Sequence, residues 1–290
     1  MLVGIKEIQN QITSVISTKK ITKAMEMVAI SKMRKTEERM RLGRPYCEII
    51  KKVIQHVVKG SVEYKHCYLE NRDIKRIGII IISTDRGLCG SLNTNLFKQV
   101  LLKMKEFMYI NVPCDLILFG LKSLSVFKLY GSSILSKVTN IGENPDLSRL
   151  IGSIQIILEK YQNNKIDKIF IAYNKFHNKM SQYPIINQLL PLSPEKNTLN
   201  KEKWDYLYEP ESKLILDTLF DRYIESQIYQ SVLENIASEQ AARMVAMKTA
   251  TDNSGSRIKE LQLIYNKVRQ ANITQELTEI IAGASAVSVD

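Results

Sequence analysis

Both ends of the chain are long stretches that lack the residues which usually interrupt helices. Ile5 to Leu42 spans 38 residues without Gly or Pro, and the 80 residues after Pro210 contain no Pro and only Gly255 and Gly283. An average α-helix has ~12 residues, whereas 80 helical residues would extend about 120 Å. A domain of this size cannot bury such a rod, so we expect the two end helices to pair, antiparallel or nearly so.

The first helix begins with the apolar spacing of a coiled-coil seam. The apolar residues recur at intervals of 3, 4 and 3, which is typical of a helix seeking another helix: Ile5, Ile8, Ile12 and Val15. Continuing this register leads to Lys19, Thr22 and Glu26, while apolar residues reappear one position away, at Ile21 and Val28. The pattern predicts a phase break at which the helix straightens.

The last helix contains a stretch with no evident apolar stripe. In AARMVAMKTATDN, Ala241 to Asn253, apolar and polar residues point in all directions at roughly 100° per residue. We therefore expect this segment to have neither a dry nor a wet side. Seam-like spacing returns only late in the helix, at Ile273, Leu277, Ile280, Ala284 and Val287.

The centre of the chain alternates strand and helix patterns. RIGIIIIST, CDLILFG, DKIFIAYNKFHN and YPIINQLLPL are typical of strands, and LNTNLFKQVLLKMKEF and NPDLSRLIGSIQIILEKY are typical of helices. We expect Asn144 to cap the second of these helices and Pro145 to take its first position. The predicted fold class is α/β, with a long antiparallel coiled coil of the N- and C-terminal helices plus a central Rossmann-like domain. The predicted boundaries are 1–60, 70–200 and 210–290.

Charge and cysteine usage exclude several protein classes. The net charge is +11; residues 1–59 hold 13 Lys/Arg against 5 Asp/Glu, and residues 211–290 hold 8 against 11. A basic element fits nucleic acid, an anionic membrane surface or an acidic protein, or is simply a solvated face. Cys47, Cys67, Cys89 and Cys114 form no CxxC motif, which favours free thiols over zinc or a disulfide scaffold.

The sequence also indicates how the protein relates to membranes. The longest apolar run, Ile77–Ile82, has six residues, far below the ~18 needed to span a bilayer. The opening MLVGIKEIQNQ lacks the apolar core of a signal peptide. We expect a soluble protein, or one held at a membrane through its partners.

No catalytic, cofactor-binding or metal-ligating constellation is evident. STDRGLCGSLN, Ser83 to Asn93, follows a strand, but it has neither GxxxxGK[ST] nor GxGxxG, so a structural turn capped by Ser91 or Asn93 is favoured over a nucleotide site. Asp85 is expected to pair with Arg86 or to cap the turn. The three histidines lack metal-ligand spacing. The basic run at 19–41 has no aromatic residue for stacking on nucleic-acid bases, although a nucleic-acid-binding coiled coil remains open.

Three blocks of sequence together resemble one family. ITKAMEMVAISKMRK, STDRGLCGSLNTNLFK and the long segment from ESQIYQSVLENIASEQAARMVAMKTATDN to NITQELTEIIAGA resemble, in this order, the gamma subunits of F-type ATP synthases, most of all the bacterial ones. Ser91, Ile30 and Ser254 depart mildly from the family pattern. A segment with paired cysteines, found in chloroplast relatives, is absent, so thiol control of rotation is not expected.

The resemblance implies a non-catalytic rotor shaft. Its partners would be three alpha and three beta subunits, the epsilon subunit and the c-subunit ring, with no cofactor and no nucleic acid. The implied location is the cytoplasmic face of the bacterial inner membrane, peripheral and reached through partners only. A shaft that turns against successive partners would explain a helix without a fixed dry side.

The resemblance also implies subunit-interface residues. Met25 and Arg243 match positions that the family uses near an acidic beta-subunit loop. Gln270, Thr274 and Glu276 match a polar group that faces the beta subunits. Ordinary coiled-coil surface remains the alternative for each of them. WDYLYEP, Trp204 to Pro210, resembles the family's foot segment near the c ring.

Overall fold

The computed structural model describes residues 4–60, 66–130, 133–192 and 212–287. Two helices dominate it: α1, Ile5–Gly60, which continues through Gly43 and Pro45, and α5, Ser212–Val287. The chain divides into two compact units, one formed by 1–28 with 244–290 and the other by 29–243. Among the described residues, no helix combines the length and apolarity needed to cross a bilayer.

The first unit is an antiparallel helix pair with a polar seam. The Thr251 hydroxyl lies 2.9 Å from that of Thr22, and Gly255 faces Lys19, so position rises along α1 as it falls along α5. The expected antiparallel pairing is thus confirmed. Thr251 also donates to the carbonyl of Met247, 2.8 Å away. Both threonine side chains are buried.

The predicted phase break in α1 is wrong. Thr22 and Glu26, which lie on the heptad continued from Ile8, are 9% and 7% exposed, whereas Ile21 and Val28 are 60% and 52% exposed. The register therefore continues and the chemistry inverts: polar side chains occupy the seam and apolar ones face outward. Counting hydrophobicity alone misses a seam of this kind.

The stretch from Ala241 likewise has a buried side that the residue pattern did not reveal. Within the first unit Met247 and Thr251 are buried, while Lys248, Asp252 and Asn253 are exposed. The buried side includes a threonine, so a hydrophobicity pattern cannot separate it from the exposed one. The expectation of no dry side is corrected for this helix pair.

Replacing the paired threonines by valine is expected to stabilise the full chain. T22V/T251V removes two buried hydroxyls and adds apolar contact of nearly the same shape, which should raise the free energy of unfolding by about 1 kcal/mol. Denaturant titration of the full chain measures this. T249V, at an exposed threonine of α5, is the matched control and should change little. A clear loss of stability in T22V/T251V would show that the hydroxyl pair is net favourable.

The described part of the second unit is built on a five-stranded sheet in the order β3-β2-β1-β4-β5. All neighbouring pairs are parallel except β4 with β5. Every residue of β1 is buried, as expected for a central strand covered on both faces. The strands are β1 Ile77–Ile82, β2 Cys114–Phe119, β3 Ser133–Val138, β4 Lys168–Phe176 and β5 Gln182–Leu190.

Helices cover both faces of this sheet. α2, Leu92–Tyr109, packs on one face with α3, Leu121–Phe127. α4, Leu147–Gln162, packs on the other face, where residues of α1 and α5 such as Ile54 and Phe220 join the same core. The α/β class with long terminal helices is therefore confirmed. The sequence patterns missed β3 and α3, which are short and partly polar.

The start of α4 lies later than expected. Asp146 is its N-cap, and the Asp146 carboxylate accepts a hydrogen bond from the backbone N–H of Ser148 at 3.0 Å. Asn144 was expected to play this role, but its side chain accepts a hydrogen bond from Arg39 of α1. A contact distant in sequence thus removes the residue that the local pattern favoured.

Candidate functional site

The switch point of the sheet, where a Rossmann-like fold usually binds its ligand, is filled by α5. β1 and β4 are parallel neighbours, and the helices that follow β1 and precede β4 lie on opposite faces, so the carboxyl ends of these strands frame the switch point. Asn235 of α5 donates to the carbonyl of Ser83 at 3.4 Å and accepts from the amide of Asn174 at 3.0 Å. Ser238 donates to the Asn174 carbonyl at 2.9 Å.

These four residues form a buried polar network that the sequence patterns did not reveal. Asn174, Asn235 and Ser238 are fully or almost fully buried, and Ser83 is buried with them. The groups that would meet a phosphate in a nucleotide-binding relative are instead bonded to the chain itself. The polar run around Asn235 and Ser238, inside an otherwise helical segment, was the available signal.

The loop after β1 is a structural turn, as favoured from its sequence, but its contacts differ from those expected. Asp85 accepts backbone N–H groups of Leu121, Asn140 and Ile141 at 2.8 to 3.1 Å, so it caps neighbouring loops rather than pairing with Arg86. Ser91 is the N-cap of α2 but makes no side-chain capping bond.

Two features of the same region constrain the backbone. Asn93 donates to the hydroxyl of Thr84 at 2.7 Å instead of capping α2. Gly120 has φ +92°, and a Cβ there would meet the Ser83 carbonyl oxygen at 2.5 Å, so this close approach requires glycine. Leu88 adopts φ 64° and is largely exposed. A bulky residue held in this conformation at the surface is unusual for a simple turn.

Arg243 is engaged within the chain. Its guanidinium donates to Glu239 Oε1 at 2.5 Å, to Gln240 Oε1 at 3.2 Å and to the Gly87 carbonyl at 3.3 Å, and its side chain is 12% exposed. Burial raises the pKa of Glu239, and Arg243 partly offsets that rise. Arg243 therefore ties α5 to the loop after β1.

The other expected interface residues lie in the first unit. Met25 is half-buried on α1. Gln270, Thr274 and Glu276 are exposed, and the Thr274 hydroxyl donates to the Gln270 carbonyl at 2.9 Å. Gln270 lies 19 residues past Thr251, about 28 Å along α5, so the structure does not bring Met25 together with this polar group.

The end of α5 presents an apolar stripe that no other described residue covers. From Gln270 to Ala284 every side chain except that of Asn272 is exposed, including Ile273, Leu277 and Ile280. This spacing was expected to form the end of the seam with α1, which is wrong because Ile5, the first residue of α1, lies far from it along the antiparallel pair. Val287 belongs to the same pattern, but its side chain lies outside the described residues.

Other candidate sites add no further chemistry. In the described residues no group of three His, Cys, Asp or Glu side chains is placed to hold a metal ion. The four cysteines are free thiols, and burial raises the pKa of each. The foot segment, Trp204 to Pro210, lies outside the described residues.

A buried carboxylate on α5 makes stability depend on pH. Glu234 lies 3.4 Å from Arg44 of α1. Burial raises the pKa of Glu234 above the ordinary 4.5, and Arg44 and Lys175 partly offset the rise. An acid with a raised pKa stabilises the fold fully below its unfolded pKa, and this contribution is lost as pH rises through the folded pKa.

We therefore expect E234Q to be more stable than the unsubstituted chain at pH 7.5 and equally stable near pH 4. Denaturant titration at both pH values measures the difference. E38Q, at an exposed glutamate of α1, controls for the loss of one surface charge. If the unsubstituted chain is instead the more stable one at pH 7.5, the Arg44–Glu234 pair outweighs the desolvation of the carboxylate.

Known proteins resemble the chain over nearly its whole length. The family model described as ATP synthase matches residues 4–287. The ATP synthase gamma chain of Buchnera aphidicola subsp. Schizaphis graminum is 84% identical, with 98% of this chain and 99% of that protein covered.

Solved structures agree. The Tetrahymena thermophila mitochondrial ATP synthase central stalk and c ring contains a chain with TM-score 0.56 and 26% identity, covering 79% of this chain and 99% of that one. In the Euglena gracilis mitochondrial ATP synthase rotor, a chain matches with TM-score 0.65 and 21% identity over 93% of this chain and 98% of that one, which shows a shared fold. These comparisons give no support to the nucleic-acid alternative. The chain belongs to the family of ATP synthase gamma chains.

Proposed function

We propose that this chain is the non-catalytic central-stalk rotor subunit of an F-type ATP synthase, transmitting torque between the ion-driven c ring and the catalytic beta subunits. The carrying observation is the antiparallel pair of α1 and α5, with a polar seam and apolar side chains facing outward. A shaft buried in a sleeve of partners has this distribution, because the sleeve covers the outward apolar groups. The identity to a gamma chain over 98% of the chain supports the same role.

Torque transmission requires the shaft to bind its partners unequally as it turns. A ligand that binds two states equally shifts neither, and moving a site from 1:99 to 99:1 takes about 5.5 kcal/mol of differential contact. The uneven charge of the chain, basic at 19–44 and mixed near Arg243, supplies part of that difference against an acidic beta-subunit loop.

The proposed partners are three alpha and three beta subunits, the epsilon subunit and the c-subunit ring. The complex would lie on the cytoplasmic face of the bacterial inner membrane, with this chain peripheral and held there by partners. We assign shaft roles to 1–60 and 210–290 and the base of the stalk to 70–200.

Within this assignment the proposed contact residues have two different environments. Gln270, Thr274 and Glu276 are exposed and ready to meet beta subunits. Met25 is half-buried, and Arg243 reaches a partner only through the part of its guanidinium that Glu239 and Gly87 leave uncovered.

Reconstitution with alpha and beta subunits tests the rotor role. We expect native mass to give one copy of this chain per three alpha and three beta subunits, with sustained ATPase turnover only when the chain is present. Turnover that is indifferent to the chain, or the absence of a stable assembly, would refute the proposal.

The exposed apolar stripe of α5 provides a sharper variant. I273S/L277S/I280S should leave the stability of the isolated chain close to that of a matched control and raise the concentration needed for assembly at least about tenfold, since three apolar contacts are lost. Q262S/N266S/R269S has the same spacing at exposed polar positions and controls for the lower helix propensity of serine. Equal assembly of both variants would place the stripe outside the interface.

A further inference from the structure

A cationic basin lies in the second unit between α1 and the turn that joins β4 to β5. Its volume is about 640 Å³, and Arg41 and Arg44 line it from α1 while Lys175 and Lys179 line it from the turn. Residues that are far apart in sequence thus bring four cations to one concavity. Its size is within the range of small-molecule sites, roughly 300–1,000 Å³.

The charges of this cationic basin are only partly neutralised. Arg41 pairs with Glu37 at 2.8 Å and Arg44 with Glu234 at 3.4 Å. In the described part of the chain no carboxylate lies within ion-pair distance of Lys175 or Lys179. The basin therefore retains two unpaired ammonium groups beside two guanidinium groups.

Buried groups behind the basin hold Arg44 in place. Glu234 and Gln230 are each more than nine-tenths buried, and one oxygen of each has no hydrogen-bond partner among the described residues. Gln230 donates to the Met40 carbonyl at 3.2 Å, which fixes this turn of α1 against α5. The guanidinium of Arg44 is thus anchored on one side by Glu234 and stays 41% exposed on the basin side.

We propose that the cationic basin binds a phosphate-bearing small anion, either a free phosphate chain or the phosphates of a nucleotide. Arginine matches phosphate oxygens in a bidentate way, and lysine acts as a point charge. A phosphate chain concentrates several charges within one basin. An acidic peptide spaces its carboxylates along a backbone of ~3.3–3.6 Å per residue and needs a longer surface.

The apolar wall of the basin distinguishes the two sources of phosphate. Phe176 and Met180 line the basin beside the cations. A base stacked there would make ADP bind more tightly than pyrophosphate, whereas equal affinities would identify a free phosphate chain as the ligand. Both outcomes support a phosphate site, and the inference does not depend on the rotor role.

Calorimetric titration of the full chain tests the site with pyrophosphate, ADP and, for comparison, poly-glutamate at matched ionic strength. We expect one saturable site for pyrophosphate or ADP, weakened at least about tenfold in K175Q/K179Q. Both lysines are exposed, so the fold should persist, and K98Q/K105Q on exposed positions of α2 controls for net charge. No saturable phosphate binding, equal binding by both variants, or a preference for poly-glutamate would overturn the proposal.

Discussion

Replacing Asn235 by leucine is expected to lower the free energy of unfolding of the full chain by about 3 kcal/mol. The substitution removes the partner of the Asn174 side-chain amide and of the Ser83 carbonyl, both buried. An orphaned buried polar group costs about 1–3 kcal/mol, and the members of a network depend on one another. Denaturant titration of N235L measures the loss.

The control for N235L is N266L, at an exposed asparagine of the same helix. It has the same change in helix propensity and side-chain volume without the network, so its stability should remain within about 0.5 kcal/mol of the unsubstituted chain. Equal losses in both variants would mean that the four-residue network contributes nothing of its own.

Replacing Arg243 by alanine is expected to lower the free energy of unfolding by about 3 kcal/mol at pH 7.5. The change leaves Glu239 charged and largely buried without its 2.5 Å partner, and removes the donor to the Gly87 carbonyl. Removing one member of a buried pair costs more than removing both. R243A/E239Q should therefore recover most of the loss.

The same pair of variants separates structure from partner contact. If Arg243 also contacts a beta subunit, R243A/E239Q will regain stability while ATPase turnover of the reconstituted assembly stays low. If Arg243 only holds the loop after β1, stability and turnover will recover together. That second result would withdraw Arg243 from the proposed contact residues.

The long elements and the core of the sheet could be predicted from sequence because their signals are local. Ile77–Ile82 is apolar throughout, and the Gly- and Pro-free ends announce helices whatever surrounds them. β3 was missed because its residues, Ser133–Val138, are mixed in character and most are only partly buried. Its place at the edge of the sheet, beside β2, depends on contacts that no local pattern contains.

The polar interior was the least predictable part. Thr22 and Glu26 are buried because the geometry of the helix pair continues, not because their side chains are apolar. Asn235 and Asn174 are 61 residues apart, and their bond exists only once α5 lies on the sheet. Arg243 could be singled out from the family resemblance, but its contact with Gly87 required the fold.

The polar seam of the helix pair has a consequence for the life of the unassembled chain. Few apolar groups hold Thr22 against Thr251, so this section should open more readily than the core of the sheet. We expect proteases to cut a solitary copy first near the seam and in the exposed end of α5. Assembly would shield both places, so degradation would remove surplus copies and keep their number matched to that of the partners.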